Sequence, residues 1–525
     1  MVELLKKIIH KSLGKSGSVQ IVSAKYGIYE ITPFYDKEKK QIRQKSKYLG
    51  KNVNGVPVKV RSINKLPKKV LSHGEIVLLN KVAEDIKLET ILSDVLPSKE
   101  VWPVLALAMN FDIRPRALNH IQSWFEGTVL SEDHPDLPLS SQSLSRMLSR
   151  IGDSTYNLEL SRRLIQQVST SSTLIYDITS ISSYSQKINL LEYGYNRDGL
   201  DLPQINMSLI VDKDLSIPVM YDFYPGSIAD VSTLKNTVKK INSQGIRNYT
   251  LIMDRGFFST DNIDEMVSSD LSFIIPPTST LKNVKEAISS IHSRIDDPEY
   301  LNLYEKEPLF VMPVSIEIGV NKLDGYAYYD QKREQQERNT FYKRLYDLIG
   351  LLKAKNLKSW MNPGEVFRNI AKRDAKFIEW RAVNGRFEVS LRKNAVSAAL
   401  NKMGKFILLY RGDFSWMECL SLYRSKDIVE KGFDVLKNDI DLMPSNLRTD
   451  SSLRGYLFIA FVALILRMKL MKMMNDAGLN KKYSVDGLFT ELEKIKVMIL
   501  PDGEKITTEI TKKQREILDA LQICA

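Results

Sequence analysis

The sequence predicts an α/β protein in which a strand-and-helix core is interrupted by a second β-rich stretch. Three observations carry this. From residue 174 the hydrophobic pattern runs strand, strand, strand, helix, strand, helix, strand. Next comes a long segment with a strand-like run at 309–318, an Asn384-Gly385 pair of the type I′ hairpin kind, and an apolar strand at Phe406–Tyr410. Finally, Gly455–Leu466 is an unbroken apolar run bounded by Arg454 and Arg467. It is too short to span a bilayer and reads as part of a buried helix at 452–474.

The elements follow in order. Residues 18–62 alternate as strands do around a polar turn, Asp36-Lys37-Glu38-Lys39-Lys40, which suggests a small β-rich module with a basic tip. From Gly74 to Gly152 the period becomes helical, with Val77, Leu78, Val82, Val101, Leu105 and Ala108 on core-facing positions. Ser140-Ser141-Gln142 caps a short helix whose apolar side is Leu144, Met147, Leu148 and Ile151. Its other side carries Gln142, Ser143 and Arg146, so it is either a groove-reading helix or a plain packing helix. Leu174–Ile178 is a buried strand ending at the carboxylate of Asp177, and Gln204–Val211 with Ile217–Tyr224 forms a hairpin across Asp212-Lys213-Asp214. Leu234, Val238 and Ile241 mark a helix, and Thr250–Met253 is a strand that stops at Asp254. Thr260 caps a further helix, and Phe273–Ile275 is a strand halted by Pro276-Pro277.

The expected organisation is a basic β-rich module at 1–70, a helical DNA-binding region at 71–168, and the first part of the core at 169–276. A β-rich insertion at 277–418, the second part of the core at 419–475 and a C-terminal tail at 476–525 complete it.

Composition narrows the function. The chain of 525 residues carries a net charge of +12. Residues 1–70 alone hold 17 Lys and Arg against 4 Asp and Glu, so the basic excess sits there and the remainder is near balance. Such a block points to an anionic partner, most often nucleic acid, or else to a solubilising tail. Two cysteines, Cys419 and Cys524, make no disulfide framework and suit a reducing compartment. Five His stand in no zinc-binding spacing. Lys6, Lys7 and Lys11 are not followed by the apolar segment of a secretory leader, so a cytoplasmic protein without membrane partners is expected.

The candidate site centres on residues 423–437. Read as one continuous helix turning about 100° per residue, this segment puts Tyr423, Lys426, Glu430 and Lys437 on one narrow face. A carboxylate between ammonium groups and a phenol suits metal and phosphate binding; an exposed helix with ordinary i,i+4 charge pairs would share the pattern. Asp177 and Asp254, each beside a strongly apolar strand, supply two more carboxylates. Three oxygen donors of this kind suit Mg²⁺ or Mn²⁺, and two such ions about 4 Å apart can activate water and stabilise a leaving 3′ oxygen.

Tyr-Asp-Ile-Thr at 176–179, Asp-Arg-Gly-Phe-Phe-Ser at 254–259 and Tyr-x2-Lys-x3-Glu-x6-Lys at 423–437 together resemble the DDE transposases of prokaryotic insertion sequences. The subgroup is the one with a Tyr-x2-Arg-x3-Glu-x6-Lys signature and a β-rich insertion before the acidic helix. The resemblance covers about residues 170–470. It implies an RNase H-like core, a mixed sheet with helices on both faces. It also implies metal-dependent endonuclease chemistry, with two Mg²⁺ or Mn²⁺ ions, in cut-and-paste transposition. Asp177, Asp254 and Glu430 become the metal ligands, and Tyr423, Lys426, Lys437 and Arg255 become contacts to DNA. The implied partners are transposon-end inverted repeats, target DNA and a second copy of the chain in a homodimeric synaptic complex. Lys426 departs from the signature, keeping the charge of Arg but losing its bidentate fork. Relatives of this type stack a Trp of the insertion on a flipped base, for which Trp360, Trp380 and Trp416 are the candidates. Two alternatives are a metal-dependent nuclease without strand transfer and a non-catalytic DNA-binding derivative.

Overall fold

The computed structural model describes residues 20–23, 27–53, 56–58, 66–167, 173–185, 187–196, 199–228, 230–243, 249–278, 281–292, 294–440 and 447–523. Lys6, Lys7, Lys11, Cys524 and parts of the 18–62 module lie outside the described residues. The chain divides into two compact units: residues 1–70 with 497–508, and residues 71–496 with 509–525.

In the smaller unit, β1 (Gln20–Ser23), β2 (Ile28–Asp36), β3 (Gln41–Val53) and β4 (Val56–Val58) form one antiparallel sheet in sequence order, and a short strand β5 (Lys69–Ser72) follows in the chain. The polar turn between β2 and β3 is held by Asp36, whose carboxylate accepts the backbone N–H groups of Glu38 and Lys39 at 3.1 Å each. Lys40 closes it with a φ of 47°. The C-terminal hairpin 497–508 clusters with this unit, where the Lys68 N–H donates to the Ile499 carbonyl at 2.7 Å. No local pattern in the tail points to a partner so distant in the chain.

The larger unit is a mixed α/β structure built on a nine-stranded sheet. Its first strands are β6 (Thr173–Ser182), β7 (Gln204–Asp212), β8 (Ile217–Pro225), β9 (Thr250–Met253) and β10 (Ser272–Ile275). Further along come β11 (Leu301–Tyr304), β12 (Glu307–Ile318), β13 (Asn321–Tyr329) and β16 (Lys405–Arg411); β14 (Ile378–Val383) and β15 (Arg386–Leu391) pair apart as a hairpin. The sheet order is β8-β7-β6-β9-β10-β16-β13-β12-β11. β6, β9 and β10 run parallel, and the other pairings are antiparallel.

Two expectations change here. Asp177 does not end its strand: β6 continues to Ser182, with Thr179 and Ser180 buried. The Ser180 hydroxyl meets Asn206 Oδ1 at 3.3 Å, so a neighbouring strand satisfies what looked like a polar boundary. The strands β11, β12, β13 and β16 also make no sheet of their own; β16 pairs with β10 and carries the sheet onward. What stands apart is the segment between β13 and β16. There the helices Gln331–Ala354, Pro363–Ala371 and Lys393–Leu400 and the β14–β15 hairpin enclose small apolar clusters around Phe367 and Phe341. Asn384 and Gly385 turn that hairpin with φ of 49° and 74°, the positive values a type I′ turn requires. A smaller shift occurs at Thr260, whose helix is capped by Ser259 Oγ accepting the Asn262 N–H at 3.2 Å.

The helix Asp450–Asp476 lies buried over most of its length, as an all-round apolar helix must. Phe461 packs on Tyr221 of β8 at 4.5 Å between centroids, and Tyr456 packs on Phe111 of the helix Ser98–Ile113 at 5.0 Å. Arg467 is buried but paired, donating to the Asp112 carbonyl at 3.2 Å and to Asp486 Oδ1 at 2.8 Å. The helix Ser141–Asp153 turns its apolar side onto this helix, leaving Gln142 and Arg146 exposed. The two cross at Gly152 and Gly455, where a Cβ on Gly455 would collide with the Leu148 carbonyl and one on Gly152 with that of Ser451. No helix among the described residues is long and apolar enough to cross a membrane.

Gly455→Val should force this crossing apart and destabilise the protein by about 1–3 kcal/mol or more. Gly350, exposed in the helix Gln331–Ala354 with open space around it, is the control. Gly350→Ala should be neutral or stabilise by up to about 1 kcal/mol. Thermal or denaturant unfolding of both variants checks the pair.

Candidate active site

Asp177 and Asp254 come together through strand register. β6 and β9 pair in parallel from Thr173↔Thr250 to Tyr176↔Met253, so the two aspartates are the next residues on neighbouring strands. At that point β9 ends and the chain enters a tight turn, Arg255–Phe257. Phe257 is buried against the ring of Tyr176 at 4.7 Å, which anchors the turn. Each carboxylate is also steadied by the backbone. Asp177 Oδ1 accepts the Ile178 N–H at 2.8 Å, and Asp254 Oδ1 accepts the Arg255 N–H at 2.7 Å.

The 423–437 segment is not one helix. A first helix, Trp416–Arg424, stops, a second runs Asp427–Asp434, and a π-helical turn follows at Val435–Asp439. Ser425 makes the break: its hydroxyl donates to the Leu422 carbonyl at 2.5 Å, competing with the helical ladder. Lys426 then opens the second helix, its carbonyl accepting the Glu430 N–H at 3.3 Å. Gly432 lets that helix lie close to the sheet. A Cβ there would stand 3.1 Å from Met468 Sδ and 3.5 Å from Leu209 Cδ2 of β7. The resulting approach brings Glu430 to the aspartates.

All three carboxylates face one ammonium. Lys426 Nζ lies 3.8 Å from Asp177 Oδ2, 3.5 Å from Asp254 Oδ1 and 3.3 Å from Glu430 Oε1. Asp177 is nearly enclosed, with 6% of its side chain exposed, whereas Asp254 at 39% and Glu430 at 54% open the site to solvent. Burial pulls the Lys426 pKa down, but Asp177, Asp254, Tyr423 and Glu430 together outweigh it and hold the amine above the ordinary lysine range. Tyr423 closes one side. Burial raises its hydroxyl, with Asp254 adding to the rise, Lys426 and Arg333 opposing it, and Glu430 adding again, so it is a proton donor at neutral pH.

The donor chemistry fits a hard divalent cation: three carboxylates, converging on a position already held by a positive charge. With the ammonium in the middle, no three acidic, His or Cys side chains among the described residues stand in position to hold one ion together. The cluster is therefore arranged around Lys426.

Tyr423, Lys426, Glu430, Asp177 and Asp254 thus share one site. Lys437 stands further along, half-exposed in the π-helical turn that continues the helix Asp427–Asp434, whereas Tyr423 belongs to the helix before the break. Arg255 is exposed at the start of its turn. Of the tryptophans, Trp380 stacks on Phe367 at 5.0 Å inside an apolar cluster, and Trp416 packs against the main core. Trp360 is 74% exposed in the turn before the helix Pro363–Ala371, with Lys358 Nζ over its ring at 4.8 Å. Arg333, which sequence reasoning missed, opposes the rise in the Tyr423 pKa from the start of the helix Gln331–Ala354. No motif marks it, since it reaches the site only through the pairing of β13 with β16. Cys419 is buried, its thiol pushed up to about 12 by burial, and is no nucleophile.

The family model described as Transposase DDE domain matches residues 169–466. Two solved structures are similar at low identity. One is the piggyBac transposase synaptic complex with hairpin DNA, at 9% identity and TM-score 0.34, covering 80% of this chain and 70% of that one. The other is the Drosophila P element transposase strand transfer complex, at 11% identity and TM-score 0.20, covering 73% of this chain and 81% of that one. No curated protein matches the chain. The family match alone spans more than half of the 525 residues, and the chain belongs to the family of DDE transposase domains.

Proposed function

We propose that this chain is a cut-and-paste DNA transposase, of the insertion-sequence kind with a β-rich insertion in an RNase H-like core. The observation that carries the reading is the convergence of Asp177, Asp254 and Glu430 on the single cationic position of Lys426 Nζ. The order β8-β7-β6-β9-β10, with β6, β9 and β10 parallel, supports an RNase H-like core, onto which β16, β13, β12 and β11 are grafted.

Asp177, Asp254 and Glu430 would hold Mg²⁺ or Mn²⁺, and two such ions fit the three-carboxylate set. Divalent metal, when bound, supplies activation of water and charge neutralisation at the leaving 3′ oxygen. The protein's own part is positioning. Asp177, enclosed and fixed by the Ile178 N–H, is the rigid ligand; Glu430, exposed and helix-borne, is the adjustable one. The Tyr423 hydroxyl and the Lys426 ammonium bind phosphate oxygens of the transposon end, the latter once it leaves the carboxylates. Arg255 and Lys437 extend the cationic track to either side. Water attacks phosphorus and the 3′ oxygen departs as the free hydroxyl. That hydroxyl then attacks a target phosphodiester at the same site, giving one new bond for each one broken. Joining two ends calls for two copies, hence a homodimer on DNA, acting in the cytoplasm. Hydrolysis without strand transfer is the second reading, because the same carboxylates serve both reactions.

Incubated with Mg²⁺ and DNA bearing the element's own inverted repeats, the wild-type chain should nick at the ends and join the 3′-OH to target DNA. Hydrolysis products alone would favour the nuclease reading, and no metal-dependent cleavage would overturn both. Asp254→Ala should keep end binding and lose nicking by several orders of magnitude, since it removes a ligand and no cation. Wild-type nicking by Asp254→Ala would contradict the mechanism.

Among the tryptophans, exposure favours Trp360 as the base-stacking residue. Trp360→Ala should weaken capture of a flipped base by about 1–3 kcal/mol while leaving the melting profile intact. Trp380→Ala should instead lower stability, because it empties a packed cluster. The fluorescence of 2-aminopurine beside the cleavage site separates the two.

A further inference from the structure

The smaller unit carries a surface that the carboxylate site does not use. β2 and β3 form a hairpin whose outer part, Thr32–Asp36 with Gln41–Lys45, has no further strand beside it among the described residues. Antiparallel partners point to the same face, so the register sorts its side chains cleanly. One face bears Arg43, Lys45 and Lys47 opposite Phe34, Thr32 and Glu30. The other bears Tyr29, Ile31, Pro33 and Tyr35 opposite Tyr48, Ser46, Gln44 and Ile42. Residues 41–48 are all exposed, and so is Phe34. The turn adds Lys37, Lys39 and Lys40 at the tip.

A ladder of cations on a flat ribbon has a specific match. Alternate residues of a strand stand about 6.8 Å apart, twice the roughly 3.4 Å axial rise per phosphate of one DNA strand. A two-stranded antiparallel ribbon is also one of the two protein elements that the major groove of B-form DNA admits. The ion pair between half-exposed Arg43 and partly covered Asp36, at 3.3 Å, lies at the surface, where a phosphate can compete for the guanidinium. We propose that the β2–β3 hairpin is a duplex-DNA-binding ribbon. Its Arg43–Lys45–Lys47 face is turned to the major groove, the long cationic side chains reaching the phosphates that line its walls and Phe34 on the same face available to a thymine methyl group. The inference rests on the reading that this chain acts on DNA, and it adds the element, the face and the duplex form of the ligand.

The test uses the full-length chain and random-sequence duplex DNA, with binding followed by fluorescence anisotropy between 50 and 200 mM salt, about the range over which phosphate contacts dominate the salt response. The triple variant Arg43→Gln, Lys45→Gln, Lys47→Gln should flatten the log–log salt slope by about 2–3, at roughly 0.9 per lost contact. The charge-keeping variant Arg43→Lys, Lys45→Arg, Lys47→Arg should retain the wild-type slope, which controls for folding. An unchanged slope in the Gln variant, with wild-type binding and cleavage intact, overturns the ribbon alone. Equal loss in both triple variants also overturns it, since charge would not be the cause. A wild-type chain that neither binds nor cuts DNA overturns the function reading itself.

Discussion

One partly enclosed ammonium organises the site. Lys426 Nζ sits within ion-pair distance of three carboxylates drawn from β6, from the end of β9 and from the helix Asp427–Asp434. Like charges so close would repel strongly in a partly dry environment, and the lysine compensates only one of the three. Much of the larger unit can be read as the means of holding this unfavourable set together. β6 is buried along nearly its whole length, so Asp177 cannot swing out. The buried helix Asp450–Asp476 backs the sheet, and through Met468 it sets how closely the Glu430 helix approaches. Gly432 leaves out a side chain that would press on Met468.

The residual negative charge has a consequence for function. A carboxylate cluster that exceeds its counter-charge attracts further cations and repels phosphate until they arrive. Beyond Lys426 at its centre, the protein places further cations around the cluster: Arg255 beside Asp254, Lys437 past Glu430, and Arg333 near Tyr423. A lysine at this position suits a displaceable role. Its ammonium is a compact point charge on a flexible stem, without the planar fork that would lock it to one carboxylate.

Much of this was legible in the sequence, for physical reasons that differ by residue. Asp254 stood out because Thr250–Met253 is a short apolar strand stopped by Asp-Arg-Gly. The Asn384-Gly385 turn was legible because its chemistry is local. Asp177 was misread as a strand end, since Thr179 and Ser180 look like a boundary until Asn206 of β7 is set beside them. The break at Ser425 was hidden because no Pro or Gly marks it, and one hydroxyl–carbonyl bond suffices. The joining of β16 to β10, and of the 497–508 hairpin to the N-terminal unit, depends on pairings between distant segments. Strand propensity says that a run will pair, but not with what.

The account turns on Lys426 holding the place of a metal cation, and the direct measurement is Mn²⁺ affinity by titration calorimetry on the DNA-free protein. If the ammonium must leave before the carboxylates can close on an ion, Lys426→Gln should bind Mn²⁺ at least several-fold more tightly than wild type. Asp177→Asn should abolish that binding in either background. Unchanged or weaker Mn²⁺ binding by Lys426→Gln would contradict the account, because the lysine would then be a bystander to the site it occupies.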